Sequence, residues 1–156
     1  MFQVLALLNR RVPTDACDRA LARLNCDEQI LFNRLCPSDQ RHALAVHASA
    51  MTTWPNDGVL HVAALLHDVG KGRPSALNRI VFTLLTTFAP WMLLRWENQP
   101  ITTKRGQIAR LSHDTELSAQ FAQLANSNTD VIDTLRSYGF RDHTRGHRLA
   151  ELDAIR

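Results

Sequence analysis

Apolar residues recur along the chain in blocks of helical length, and turn residues separate the blocks. No block shows the sustained apolar–polar alternation that is typical of a half-buried strand. Helix-start signals at 13–15, 25–27 and 37–39 open the first three predicted helices, and further helices are predicted at about 115–125 and 130–138. The pattern therefore predicts an all-α fold.

The most apolar block, residues 59–66, is apolar on nearly every side. A helix without a polar face belongs at the centre of a bundle. It ends at the string His-Asp-Val-Gly-Lys-Gly, whose glycines let the chain turn sharply. Because 156 residues is the usual size of one domain, we predict that 1–156 forms a single compact bundle around this helix. Residues 1–37 are expected to be a helical extension packed on the core.

Composition narrows the classes of function. The 45% of hydrophobic and 21% of charged residues are typical of a globular chain. The net charge of +3 is too small to require a DNA or RNA partner, although it is compatible with a phosphorylated ligand. Three cysteines without a Cys-x-x-Cys pair favour neither a disulfide framework nor a zinc ribbon. Together with a start that lacks the features of a signal peptide, this predicts a cytoplasmic location.

A second apolar tract, residues 80–96, has two interpretations. Three threonines, Pro90 and Arg95 interrupt it, and it falls short of the roughly 20 apolar residues of a spanning helix, so no transmembrane span is predicted. The favoured interpretation is a pair of core helices broken at Pro90. The alternative is a hairpin that docks on a protein partner or a membrane surface. The segment 97–106 that follows predicts a polar loop that could form part of a site's rim.

Residues able to bind a metal meet at the end of the predicted central helix, where His67 and Asp68 are adjacent. An imidazole nitrogen and a carboxylate oxygen are ligands for divalent transition metals, and the carboxylate also suits magnesium. A cation would compensate the charge of a buried carboxylate, and the negative end of the helix dipole favours a cation too. By itself, the pair is also typical of an ordinary helix end with a surface ion pair.

Two further residues complete a pattern with this pair: His42 on the third predicted helix, and Asp153 near the end of the chain. The four stand in the strings Arg-His-Ala-Leu, Leu-Leu-His-Asp-Val-Gly-Lys and Leu-Asp-Ala, in that order. From about residue 38 to 156, the sequence resembles the HD-domain superfamily of metal-dependent phosphohydrolases. The pattern of that superfamily is a His, an adjacent His-Asp and a distant Asp, and the His-Asp-Val-Gly-Lys string is the most specific part of the resemblance.

The resemblance implies a metal site and a reaction. His42, His67, Asp68 and Asp153 would bind one divalent cation (Mn, Mg, Fe, Ni, Co or Zn). A water activated on it would attack a phosphoester of a nucleotide or another small phosphorylated substrate, because a bound cation lowers the pKa of its water and polarises a phosphoryl oxygen. Asp68 and Lys71 are the catalytic candidates, with Lys71 placed to stabilise the negative charge of the phosphate.

Several positions allow alternatives. His47 follows His42 on the same predicted helix at roughly 140° around the axis, so only one of them can face the metal. The resemblance favours His42, and it leaves His47 and His61 as packed or surface imidazoles. Lys104 and Arg105 in the polar loop are weaker candidates for binding phosphate.

The second half of the chain departs from superfamily members that bind two metals. Those members carry additional His residues, whereas here Asp114 and Tyr138 stand near the corresponding positions, with His113 one place off. A complete second site is therefore not expected. Asp114 is interpreted either as a helix N-cap or as a group that orients a water or substrate. The Gly-Tyr-Pro extension of cyclic-dinucleotide phosphodiesterases and the Glu-Asp of alarmone hydrolases are also absent, which argues against those two activities.

A basic patch lies before Asp153, close to a last short predicted helix that contains residues 149–155. It is interpreted either as a solvated turn or as a contact for a nucleotide phosphate, and its members are Arg141, His143, Arg145, His147 and Arg148.

Two classes of function therefore remain. The first is a metal-dependent phosphohydrolase. The second is a regulatory module without turnover, which keeps the helical scaffold and docks a partner through 80–96. Metal-dependent turnover of a phosphoester distinguishes them.

Overall fold

The computed structural model is helical throughout its described regular elements. It describes residues 14–71, 76–96, 103, 105, 106, 108, 114–138, 140 and 144–155. The helices are α1 (Thr14–Leu21), α2 (Cys26–Asn33), α3 (Pro37–Thr53), α4 (Gly58–Leu66), α5 (Ala76–Phe88), α6 (Pro90–Trp96), α7 (Asp114–Leu124), α8 (Thr129–Arg136) and α9 (Thr144–Ala154), with a short 3-10 helix at Val69–Lys71. Within these ranges there is no strand, which confirms the predicted all-α fold.

Polar residues fix the starts of the early helices. The Asn25 side chain accepts a hydrogen bond from the backbone N–H of Glu28, and the Glu28 carboxylate accepts one from the backbone N–H of Asn25. This reciprocal pair satisfies two N–H groups that α2 would otherwise leave without partners. Pro37 opens α3, where its missing N–H carries no cost. The Asp57 carboxylate caps α4 by accepting from the backbone N–H of Leu60, 3.2 Å away.

Helix α4 lies at the centre of the bundle, as its apolar sequence predicts. Six of its nine residues are buried, and α3 and α8 pack directly against it. Helix α7 packs on α8 and on the 3-10 helix that follows α4. The N-terminal helices and the turns after them add Ala20, Leu24, Phe32 and Leu35 to the same core. The chain segment immediately after α4 therefore packs against α7.

The apolar tract 80–96 lies in α5 and α6, which meet at Pro90 as predicted. The interpretation of these helices as core elements is met in part, since Leu93 on α6 is buried. They pack mainly on each other, and none of their described side chains belongs to the main core cluster. Instead, the described surface of this helical hairpin exposes large apolar side chains, among them Phe88 and Trp91. No helix in the described ranges is long and apolar enough to cross a membrane.

Candidate metal centre

Three side chains that could bind a metal converge at the end of α4. His42 lies on α3, His67 directly follows α4, and Asp68 is the next residue. Their candidate ligand atoms all lie within 4.8 Å of one another. His67 and Asp68 are buried and His42 is partly buried. These three residues, which we call the His-Asp cluster, can hold a metal ion.

His67 is oriented so that one ring nitrogen points into the cluster. Its Nδ1–H donates to the backbone carbonyl of Ala64 at 2.9 Å, which leaves Nε2 with the lone pair that a metal needs. This Nε2 is buried and has no hydrogen-bond partner among the described residues, although Asp68 Oδ1 is 3.3 Å away. A buried polar atom without a partner is costly. The nitrogen and carboxylate donors here fit a divalent transition-metal cation, which would provide that partner.

Asp153, on α9, lies beside the cluster. Its Oδ1 accepts a hydrogen bond from His42 Nε2 at 2.5 Å and is 3.5 Å from His67 Nε2, while its Oδ2 accepts from the Tyr138 hydroxyl. Burial alone would raise the pKa of Asp153, but the contacts with His42, His67 and Tyr138 outweigh burial and hold the pKa well below its usual value. The carboxylate therefore stays charged where the resemblance requires a fourth ligand.

The carboxylates around His67 make the electrostatic potential there negative. Burial would lower its pKa, but the carboxylates of Asp153 and Asp68, with the Ala64 carbonyl, outweigh burial and raise it. The pKa is raised because positive charge at this position is stabilised. The same field favours a metal cation there.

Tyr138, just after α8, contacts two residues of the site, His67 and Asp153. Its ring stacks on that of His67, with centroids 6.4 Å apart and planes 9° apart, while its hydroxyl holds Asp153. Burial, followed by the hydrogen bond to Asp153 and the nearby negative charges, raises the pKa of the phenol. The hydroxyl therefore remains a donor. In the sequence Tyr138 stands out only because it takes the place of a histidine of a second metal site. Its contact with Asp153, 15 positions away, has no signal in the local sequence.

Ser118, on α7, holds the turn that carries the cluster. Its buried hydroxyl donates to the backbone carbonyl of His67 at 2.6 Å and accepts from the N–H of Gly70 at 2.9 Å. A Cβ on Gly70 would lie 2.0 Å from the backbone oxygen of Asp114, so a larger residue would displace α7 or the turn. The small residues at both positions allow this close approach.

Lys71 and Asp114 extend the charged region beyond the cluster. Lys71 Nζ forms an ion pair with Asp68 Oδ1 at 2.6 Å, and its side chain is 28% exposed. Burial would lower the pKa of Lys71, but Asp68 above all, with Asp114 and Asp153, outweighs burial and raises it. Burial and Asp68 raise the pKa of Asp114, against the effect of Lys71. Asp114 is the first residue of α7. Because its charge interacts with those of Lys71 and Asp68, this carboxylate is part of the charged region around the cluster.

The other histidine pair lies apart from the cluster. The rings of His47 and His61 are 5.9 Å apart and buried, and His61 Nε2–H donates to the Trp54 carbonyl at 2.9 Å. Burial, followed by the charges of His61 and Arg23, lowers the pKa of His47 to about 4. Both are packed imidazoles, as predicted, and His42 is the α3 histidine that meets the cluster.

The basic patch is not the solvated turn of the first sequence interpretation. Because α9 begins at Thr144, its described members lie on a helix instead of a solvated turn. Arg145 Nε lies 3.0 Å from Asp57 Oδ1, and Arg148 Nη1 lies 3.6 Å from Asp57 Oδ2. The Arg148 guanidinium also stacks over Trp54 at 5.1 Å. These arginines connect α9 to the start of α4, so they are already paired.

Some predicted residues lie outside the described ones: residues 1–13, Gly72, Lys104, His113, Arg141 and His143, as does most of the loop 97–106. Within that loop Arg105 is described, and its guanidinium lies 5.7 Å from the centroid of the Trp96 ring.

No family model, no curated protein and no solved structure matches this chain. The resemblance to the HD-domain superfamily therefore depends on the order and context of the residues themselves, and it stays a hypothesis.

Proposed function

We propose that the chain is a metal-dependent phosphohydrolase with an HD-type bundle, in which His42, His67, Asp68 and Asp153 bind one divalent cation. One observation carries the proposal. Donor atoms from distant parts of the sequence surround Nε2 of His67, a buried nitrogen without a hydrogen-bond partner among the described residues. The order of these residues along the chain is the order that the HD-domain superfamily uses.

The donor set supports a divalent cation in particular. Two neutral imidazoles and two carboxylates carry a combined charge of −2, which a divalent cation balances. Mixed nitrogen and oxygen donors suit manganese, iron, cobalt, nickel or zinc. A cation bound here would lower the pKa of a coordinated water and polarise a phosphoryl oxygen.

The chain's own residues supply the remaining functions. Lys71 is partly exposed and keeps its positive charge in its ion pair with Asp68, so a phosphate bound beside Asp68 would lie next to an ammonium group that stabilises its negative charge. Tyr138 and Ser118 act as positioning residues. The first holds Asp153 and the second holds the turn at His67, and partners of this kind set the orientation of metal ligands.

Turnover assays test the proposal. Protein loaded separately with each candidate metal is assayed with p-nitrophenyl phosphate, bis-p-nitrophenyl phosphate and a panel of nucleotides. We expect metal-dependent hydrolysis of at least one substrate and a loss in kcat of about 100-fold or more in Asp68→Ala. Lys71→Met should retain the metal but lose activity. His147→Ala, which changes an exposed histidine paired with Glu151, is the matched control and should keep full activity.

Two results would contradict parts of this proposal. Stoichiometric metal binding without hydrolysis of any phosphoester would contradict the enzyme and favour the regulatory module. Unchanged kinetics in Lys71→Met would show that Lys71 takes no part in the reaction.

A further inference from the structure

The chain's positive charge is concentrated in one segment. Residues 69–113 contain seven Lys or Arg and one acidic residue, Glu97, for a net charge of +6, whereas the rest of the chain has a net charge of −3. The α5–α6 hairpin lies within this segment and contains no acidic residue. Such an asymmetry indicates an anionic partner for this part of the molecule.

The same hairpin concentrates exposed apolar surface. Among the described residues eight large hydrophobic side chains are exposed, and four of them are on these two helices: Leu84, Phe88, Trp91 and Leu94. Leu84 and Phe88 are four residues apart on α5, and Trp91 and Leu94 are three apart on α6, so each pair lies on one side of its helix. Phe88 and Trp91 flank the corner at Ala89 and Pro90. We call these four side chains the hairpin patch.

Basic groups border the hairpin patch. Arg95 is exposed on α6, four residues after Trp91, and exposed Arg105 stacks over Trp96 at the end of the same helix. An apolar face with aromatic residues, bordered by arginines and free of acidic residues, is typical of a helix that lies in the interface of an anionic bilayer. The helices of the hairpin are too short to span a bilayer, which is consistent with binding at its surface.

We propose that the hairpin patch docks on an anionic lipid bilayer, with Phe88 and Trp91 inserted at the level of the headgroups and Arg95 contacting lipid phosphates. Charge complementarity favours lipid over a second copy of this chain. Two copies would bring together the arginines of two hairpins that have no acidic residue to pair with them, whereas each basic residue near an anionic membrane strengthens binding by about fivefold. The inference is independent of the proposed hydrolase activity.

Vesicle co-sedimentation of the full-length chain tests this docking. We expect binding to phosphatidylcholine vesicles that contain about 30% phosphatidylserine, weaker binding at high salt, and little binding to phosphatidylcholine alone. The double variant Phe88→Ser/Trp91→Ser should bind at least tenfold more weakly, because both inserted aromatic side chains are lost. Arg95→Gln should bind anionic vesicles about fivefold more weakly. Leu124→Ser, which changes a leucine that is 78% exposed outside the hairpin, is the matched control and should bind like the wild type.

A second measurement reports insertion directly. Brominated lipids should quench the tryptophan emission of the wild type on anionic vesicles, and Trp91→Phe should lose most of that quenching. Absence of binding to anionic vesicles would overturn the proposal, as would unchanged binding of the double variant. A dimer in light scattering that the double variant converts to a monomer, without vesicle binding, would overturn it too and would assign the patch to self-association.

Discussion

Replacing Tyr138 with Phe removes one hydrogen bond from the candidate metal centre and keeps the aromatic ring. The hydroxyl donates to Asp153 Oδ2, whereas the ring stacks on His67 and needs no hydroxyl for that contact. A hydrogen bond to a charged group contributes about 1.5–3 kcal/mol. Because the Asp153 side chain is 22% exposed, water competes for it. We therefore expect Tyr138→Phe to lower the free energy of unfolding by about 1.5 kcal/mol.

The same substitution should weaken metal binding. Without the hydroxyl, Asp153 keeps its contacts with His42 and His67, which involve Oδ1, and loses the hydrogen bond that orients Oδ2. A loss of about 1.5 kcal/mol in ligand orientation corresponds to about a tenfold increase in the Kd of the metal, within the range that is typical for groups orienting metal ligands. Urea denaturation measures the stability, and competition with a chromophoric chelator measures the Kd.

Ser127→Ala is the matched control for Tyr138→Phe. Its hydroxyl donates to the Glu28 carboxylate at 2.6 Å, a bond of the same kind outside the cluster, so the variant should lose stability and keep its metal affinity. Reduced stability in Tyr138→Phe with an unchanged Kd would refute the reasoning, because Asp153 would then not be a ligand that Tyr138 positions.

Three further outcomes follow from buried or paired groups. Ser118→Ala removes the hydroxyl that bonds the buried His67 carbonyl and the Gly70 N–H, so urea denaturation should show a loss of about 2–3 kcal/mol; a loss below about 1 kcal/mol would contradict the role of Ser118 in holding the turn. His47 has a folded pKa of about 4 and an ordinary value of 6.5, so the unfolded chain takes up its proton first and stability should fall by about 3 kcal/mol as the pH drops from 6.5 to 4. In His47→Gln, denaturation over the same pH range should show a smaller fall, and an equal fall would be inconsistent with this pKa. Asp57→Ala removes a helix cap and the partner of Arg145, and calorimetry should show a lower Tm, equivalent to about 1–2 kcal/mol; an unchanged Tm would argue against both contacts.

The helices could be predicted because their signals are local. Asn25, Pro37 and the apolar run of α4 determine helix starts and burial within a few residues of themselves. The predicted turn of the basic patch includes Arg145, whereas α9 already begins at Thr144. In the structure Gly146 is helical, and a Cβ there would lie 2.1 Å from the Ser137 carbonyl oxygen. This glycine permits close packing between chain segments, which a local pattern does not reveal.

The candidate site was predictable only in part. The adjacent pair His67 and Asp68 is evident from the sequence alone. The resemblance favours His42 over His47 as the metal ligand on the third predicted helix. Their convergence with Asp153, and the contacts of Tyr138 and Ser118 with them, depend on residues up to 111 positions apart. For a related reason the exposed face of α5 and α6 stands in the sequence only as the alternative interpretation of 80–96, since apolar content alone does not say which side of a helix packs against the core.

Elemental analysis of the purified, metal-loaded protein tests the central claim most directly. The wild type and the His147→Ala control should each contain about one mole of transition metal per mole of chain. His42→Ala and Asp68→Ala, confirmed as folded by circular dichroism, should contain little or none. Absence of bound metal from the wild type after loading with manganese, iron, cobalt, nickel or zinc would contradict the claim, as would full metal content in both ligand variants.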